Sequence, residues 1–254
     1  MNVEHLEIPS RFAGPPAMGH GGYVAGLLAQ RTDGAVQVTL RRPIPLDVGL
    51  DLVELDGGRL ELRRGDDVLV ESEPAALVLD VPPPPGPADA RAAEASSPSH
   101  FEPSGIHPTC FGCGRLRDPG DALRIFAGPV EVEGHRQVAG GWRPGSLAEI
   151  DGIVDRRWVL AALDCPGAFA FVTGGVRAGL LGRITFEQHA PVHADDDHLV
   201  TGWRIGEDGR KLFAGTALFG PDGTLLAAAR ATWFPMPSAP TSGAATAPGV
   251  VTEP

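Results

Sequence analysis

His20-Gly21-Gly22-Tyr23-Val24-Ala25-Gly26-Leu27-Leu28-Ala29 and Trp158-Val159-Leu160-Ala161-Ala162-Leu163-Asp164 are the two stretches from which the fold is read. Laid over each other, they look like two copies of one apolar helix. The first copy keeps a glycine entry and carries Ala29 where an acid would sit; the second keeps the acid, Asp164, behind an Asp155-Arg156-Arg157 entry. Face to face, two incomplete copies could form one complete site. Both stretches are apolar around most of the helix, which places them inside a protein rather than on its surface.

The sequence outside these helices repeats as well. Thr39 to Leu46 overlays Thr185 to Val192 at a constant offset of 146 positions. The second copy holds about eleven extra residues, around Phe169 to Leu180, and an insertion in one copy of a repeat usually marks a loop on a working face. Before position 82 the pattern reads as a short strand, one helix over about 21–31, and then strands at 36–40, 50–55, 59–63 and 68–79. Alternating apolar residues and Asp-Gly turns separate them. After position 107 the same order returns, with a helix over about 154–165 that Pro166 is expected to stop. Four strands, near 182–188, 198–205, 211–219 and 225–234, complete it. One helix followed by an antiparallel meander predicts an α+β unit whose sheet wraps its central helix. The expected organisation is therefore an N-terminal half over 1–81, a Pro/Ala/Ser-rich linker over 82–106 with little to bury, a C-terminal half over 107–236 and a disordered tail over 237–254.

Composition narrows the function. A chain of 254 residues with 43% apolar content supports one or two globular units. A net charge of -11 and a pI near 5.1 argue against general nucleic-acid binding. No apolar run is long enough to span a bilayer, and the N-terminus does not read as a signal peptide, so a cytoplasmic protein is expected. The basic charge is nearly all arginine, with Lys211 the only lysine, as genomic base composition would produce. Cys110-Phe111-Gly112-Cys113 is a lone C-x-x-C without a second pair, so a turn with ordinary thiols is expected rather than a metal.

In this order and duplication the motifs resemble the hotdog-fold acyl-CoA thioesterases, in particular the bacterial phenylacetate-pathway type. The residues that carry the resemblance are Cys110-Phe111-Gly112-Cys113-Gly114, Ala122 to Phe126, the helix ending in Leu163-Asp164, Ala190-Pro191-Val192 and Pro221-Asp222-Gly223. In the first half they are His20-Gly21-Gly22 and Pro43-Ile44-Pro45-Leu46. The resemblance implies a tandem double hotdog, a pseudo-dimer within one chain that could assemble further. It implies hydrolysis of an acyl-CoA thioester without metal or other cofactor. Gly21, with Gly22 beside it, would polarise the thioester carbonyl, and Asp164 would act as base or nucleophile. His20 and Tyr23 are expected to line the substrate, and Arg177 and Arg183 to meet coenzyme A phosphates.

The chemistry gives the same residue types reasons of their own. A helix N-terminus offers unpaired amides to a developing oxyanion, glycine lets substrate approach the backbone, and a carboxylate in an apolar cleft is a raised-pKa base. The dipole at the end of the preceding helix should raise Asp164 further. Asp155-Arg156-Arg157 with Ala29 would form a retired second site whose arginines are solvated. One departure is that Leu181 stands where relatives place a helper Ser or Thr, with Thr173 and Thr185 as nearby hydroxyls. The alternatives are a non-catalytic acyl-CoA or lipid-binding protein and a dehydratase or hydratase, whose Asp/His pair is not seen on either helix.

Overall fold

In the computed structural model, residues 2–101, 107–145, 149–175 and 179–235 are described. The first run of elements is β1 (Val3–Glu7), α1 (Gly21–Ala29), β2 (Val36–Leu40), β3 (Gly49–Leu55), β4 (Arg59–Arg64) and β5 (Asp67–Pro74). Helix α2 (Pro87–Ala93) lies between the halves. The second run opens with β6 (Gly128–Val132), β7 (His135–Trp142) and a small hairpin, β8 (Glu149–Ile150) and β9 (Ile153–Val154). Then come α3 (Arg156–Ala162), α4 (Cys165–Val172), β10 (Leu180–Gln188), β11 (His198–Asp208), β12 (Lys211–Phe219) and β13 (Leu225–Phe234).

Eleven strands form one antiparallel sheet, in the order β1-β3-β4-β5-β2-β10-β13-β12-β11-β7-β6. The order runs symmetrically outward from the β2–β10 seam. In that seam Val38 stands opposite Ile184, its counterpart at the 146-residue offset of the sequence repeat. Both side chains are fully buried. Equivalent residues meeting across an antiparallel pair mark a local two-fold axis, as in an isologous interface.

Helix α1 packs against β2, β5 and β10, and α4 packs against β7, β11, β12 and β13. Three glycines, Gly21, Gly22 and Gly26, weaken the intrinsic helical tendency of α1, so tertiary packing rather than propensity holds it. Those glycines have a use, because α1 also packs against α3. A Cβ on Gly26 would stand 2.4 Å from the carbonyl oxygen of Arg157, and one on Gly22 would stand 2.5 Å from Asp164 Cβ. The later residue of α1 meets the earlier residue of the partner segment, so the helices run antiparallel at near backbone contact.

Three local expectations are corrected. Pro166 does not stop a helix; it starts one. The chain breaks at Leu163-Asp164, and Pro166 occupies the first turn of α4, where its missing amide costs no hydrogen bond. Phe169 to Val172 therefore belong to α4, so the first part of the insertion is helical. The expected linker contains folded structure: Ala90, Ala93, Ser97 and Ser99 are buried, and α2 lies on β6 and β7. The final strand of the first half ends at Pro74 rather than near 79. The tail over 237–254 lies outside the described residues.

The strap formed by α2 makes its own prediction. A Cβ on Gly128 would fall 1.7 Å from the Ala93 carbonyl oxygen, a backbone atom that no rotamer change can move. Gly128→Ala is expected to lift α2 from β6 and expose residues 87–100. Limited proteolysis should cleave that segment at least about tenfold faster than in the wild type, as local opening would require.

Candidate active site

The break between α3 and α4 brings Asp164 to the N-terminus of α1. The Gly22 amide donates to Asp164 Oδ2 at 2.6 Å, and His20 Nε2 lies 3.3 Å from the same oxygen. His20 is the N-cap of α1, where its Nδ1 accepts from the Tyr23 amide at 3.1 Å. That bond leaves the proton of a neutral ring on Nε2, facing Asp164. The other carboxylate oxygen, Oδ1, has no hydrogen-bond partner among the described residues.

Both Asp164 and His20 are buried. Burial pushes the Asp164 pKa above the ordinary carboxylate range, although His20 and the Gly22 amide pull it down. Burial works against charged His20, but the neighbouring Asp164 and Cys110 outweigh it and raise the pKa. The expected contribution from a helix C-terminus is not what raises Asp164, because the residue serves as the N-cap of α4.

A cavity of about 340 Å³ opens beside this pair. Gly21, His20, Asp164 and Leu181 line it, whereas Gly22 and Tyr23 do not. Gly22 is thus committed to the carboxylate, and Gly21 presents the α1 N-terminus to the cavity. A Cβ on Gly21 would meet Leu181 Cβ at 3.2 Å, so glycine leaves room at a narrow point. Phe169, Gly179 and Leu180, from the insertion, form part of the wall.

Other expected residues lie elsewhere. Tyr23 stacks on Phe12 with ring centroids 4.0 Å apart and also packs on Phe111 and Trp158, so it belongs to an aromatic core. Arg183 Nε donates to Thr39 Oγ1 at 3.0 Å across the β2–β10 seam, away from the cavity. Arg177 lies outside the described residues. Arg41, Arg42 and Arg210 reach the cavity in their place. Arg41 and Arg42 stand in sequence directly before Pro43-Ile44, the motif that ends β2, and that position was the available signal.

The constellation expected to form a retired second site is packed rather than solvated. Asp155 caps α3 by accepting from the Arg157 amide at 2.8 Å. Arg156 donates to the Gly34 carbonyl and lies over Phe186, and Arg157 lies over Trp158. Ala29 is fully buried. Among the described residues no hydroxyl lines the cavity in place of the one missing at Leu181: Thr173 directs its own to the Phe169 carbonyl, and Thr185 does not line the cavity.

Sequence reasoning missed the thiols. All three cysteines of the chain, Cys110, Cys113 and Cys165, line the same cavity as His20 and Asp164. The neighbouring Cys113 and Cys165 thiols hold the Cys110 thiol well below its usual pKa, while Cys110 and burial push Cys113 and Cys165 well up.

A wide antiparallel sheet with few helices fits the hotdog fold. Solved structures agree. The chain is similar over 92% of its length to 92% of the tesB protein of Mycobacterium avium subsp. paratuberculosis, at 17% identity and a TM-score of 0.60. It is similar over 93% of its length to 94% of a hot dog fold protein of unknown function from Alicyclobacillus acidocaldarius, at 14% identity and a TM-score of 0.59. A third likeness, over 92% of this chain and 93% of the other, is to the acyl-CoA thioesterase II TesB2 of Mycobacterium marinum, at 14% identity and a TM-score of 0.56. No family model matches the chain, and no curated protein matches it in sequence. Among the described residues no helix is long and apolar enough to cross a membrane.

Proposed function

We propose that the chain is two fused hotdog units with one composite site, and that it hydrolyses an acyl-CoA thioester to the free acid and coenzyme A. The observation that carries this reading is the contact between Asp164 and the first turn of α1, beside a cavity that Gly21 also lines. A thioester carbonyl oxygen placed at the Gly21 amide would meet the positive end of α1, where developing negative charge is stabilised. Gly22 and His20 fix one carboxylate oxygen, and Oδ1 is left to take a proton from water or to attack the carbonyl carbon. The names of the solved thioesterases support the same reaction class.

Chromatographic detection of free coenzyme A, over a panel of short, long and aromatic acyl-CoA substrates, tests the reading. Hydrolysis above the buffer rate is expected for at least one substrate class. The adjacent His20–Asp164 pair favours a second reading, hydration or dehydration of an acyl-CoA, because the two helices supply together the pair that neither holds alone. In the same panel that reaction would change the enoyl-thioester absorbance without releasing coenzyme A. Binding with neither product would leave a non-catalytic acyl-CoA protein and overturn both.

The arginines at the cavity should serve the phosphates of coenzyme A, since guanidinium matches phosphate geometry. Arg210→Ala is expected to raise KM about three- to tenfold and leave kcat within about twofold, because an exposed charged contact contributes about 1 kcal/mol. A KM unchanged at low salt would remove Arg210 from that role.

A further inference from the structure

We propose that Cys110, Cys113, Cys165 and His20 bind a zinc-class divalent metal ion. The four side chains come from three separate parts of the chain. The loop before β6 supplies the C-x-x-C pair, α4 begins with Cys165, and His20 caps α1. The ligand atoms of His20, Cys110 and Cys165 all lie within 4.8 Å of one another. Cys113 lies outside that group of three but lines the same cavity, and its side chain would turn inward on binding as the fourth ligand.

Two separations decide between a loose thiol cluster and a ligand set. Cys110 Sγ is 3.8 Å from Cys165 Sγ, and Cys165 Sγ is 3.5 Å from His20 Nε2. A tetrahedral zinc ion with metal–sulfur bonds of about 2.3 Å and metal–nitrogen bonds of about 2.0–2.1 Å requires sulfur–sulfur edges of about 3.8 Å and sulfur–nitrogen edges of about 3.5 Å. Both observed distances match the edges of such a tetrahedron.

Gly112 makes the convergence possible. Its Cβ position lies 2.6 Å from His20 Nε2 and 2.8 Å from Cys165 Sγ, so any side chain there would push the ligands apart. The C-x-x-C turn is closed by the Gly114 amide donating to the Cys110 carbonyl at 2.8 Å. The Phe111 and Ile125 backbones anchor the loop to Ala13 and Gly112. These contacts hold the loop against the α1 entrance whether or not an ion is bound.

Binding has a defined proton balance. The three thiols lose three protons to solvent, and the His20 ring proton moves from Nε2 to Nδ1, which gives up the hydrogen bond it accepts from the Tyr23 amide. The metal then replaces the Nε2 contact to Asp164, while the Gly22 amide continues to hold that carboxylate. Four protein ligands fill the tetrahedron, so the ion would act as a cross-link joining the loop, α1 and α4 rather than as a Lewis acid for substrate. The inference does not depend on the chain being a hydrolase.

Elemental analysis of protein purified without chelator, from zinc-supplemented medium under reducing conditions, tests the proposal. About one zinc per chain is expected. Cobalt added to the metal-free protein should give thiolate-to-cobalt charge-transfer absorption and the intense visible bands of a tetrahedral thiolate site. Cys165→Ser should weaken zinc binding at least about tenfold in competition with a chromophoric chelator. Circular dichroism checks that the variant is folded, and the cobalt titration of wild-type protein gives an independent reading if it is not. Less than about 0.1 zinc per chain together with no charge-transfer band would overturn the site. A Cys110–Cys165 disulfide in the isolated protein, without metal, would overturn it as well. Full zinc content in Cys165→Ser would overturn the ligand set.

Discussion

Asp164→Asn is expected to lower kcat/KM for the best acyl-CoA substrate by about 10²–10⁴-fold, the range a positioned general base contributes. The substitution isolates the chemistry because it changes little else. An asparagine oxygen can still accept from the Gly22 amide, and the side-chain volume at the α1–α4 junction stays the same. What disappears is the negative charge and the basicity of Oδ1, the oxygen without a partner among the described residues. Near-wild-type turnover in a correctly folded variant would move the base elsewhere. A fall in turnover accompanied by loss of secondary structure would instead make Asp164 a structural tie, so far-ultraviolet circular dichroism belongs in the same experiment.

Gly26→Ala should destabilise the protein by up to about 2 kcal/mol, although alanine is the better helix former. Intrinsic propensity favours alanine by about 1 kcal/mol. Against it stands the Arg157 carbonyl oxygen, 2.4 Å from the new Cβ, with Arg157 Cα at 2.8 Å. Both atoms belong to the backbone, so relief requires α1 and α3 to separate. Overpacking of this kind costs about 1–3 kcal/mol and occasionally more. Asp164 lies at the other end of the same contact, so the variant should also lose activity beyond its loss of stability. Urea unfolding checks the first effect, with Gly49→Ala as a control, because a Cβ there meets nothing within 4 Å. Equal midpoints for the two variants would remove the helix crossing as a stability determinant.

Much of this arrangement could be read before the structure. Constant spacing between Thr39-Leu40 and Thr185-Phe186 placed the two seam strands, and the Asp-Gly turns separated the strands that follow. The missing acid at Ala29 and the retained acid at Asp164 led to the two residues that meet at the cavity wall. Other features were hidden for physical reasons. A proline reads as a helix stop or a helix start depending on the backbone before it, and Pro166 took the second role because the chain turns at Asp164. The 82–106 segment looked to have little to bury, yet Ala90 and Ala93 of α2 are buried because Gly128 of β6 lets the helix backbone approach closely. Tyr23 follows the glycine entry in sequence, but one residue along a helix is a rotation of about 100°, which carries its ring into the core instead of the cavity. The thiol cluster was the least visible, since His20, the C-x-x-C and Cys165 become neighbours only once the halves have folded together.

The seam pair Val38–Ile184 has a consequence for inheritance. In a dimer of identical chains, every mutation is made twice, and a residue lost from one site is lost from both. A single chain that supplies both sides of the same two-fold axis escapes that constraint. On the proposed reading of two fused units, the first half can carry Ala29 where the second keeps Asp164, and the second can carry arginines that pack on Phe186 and Trp158 where the first keeps its glycine entry. Each half is then free to specialise in its own side of one site.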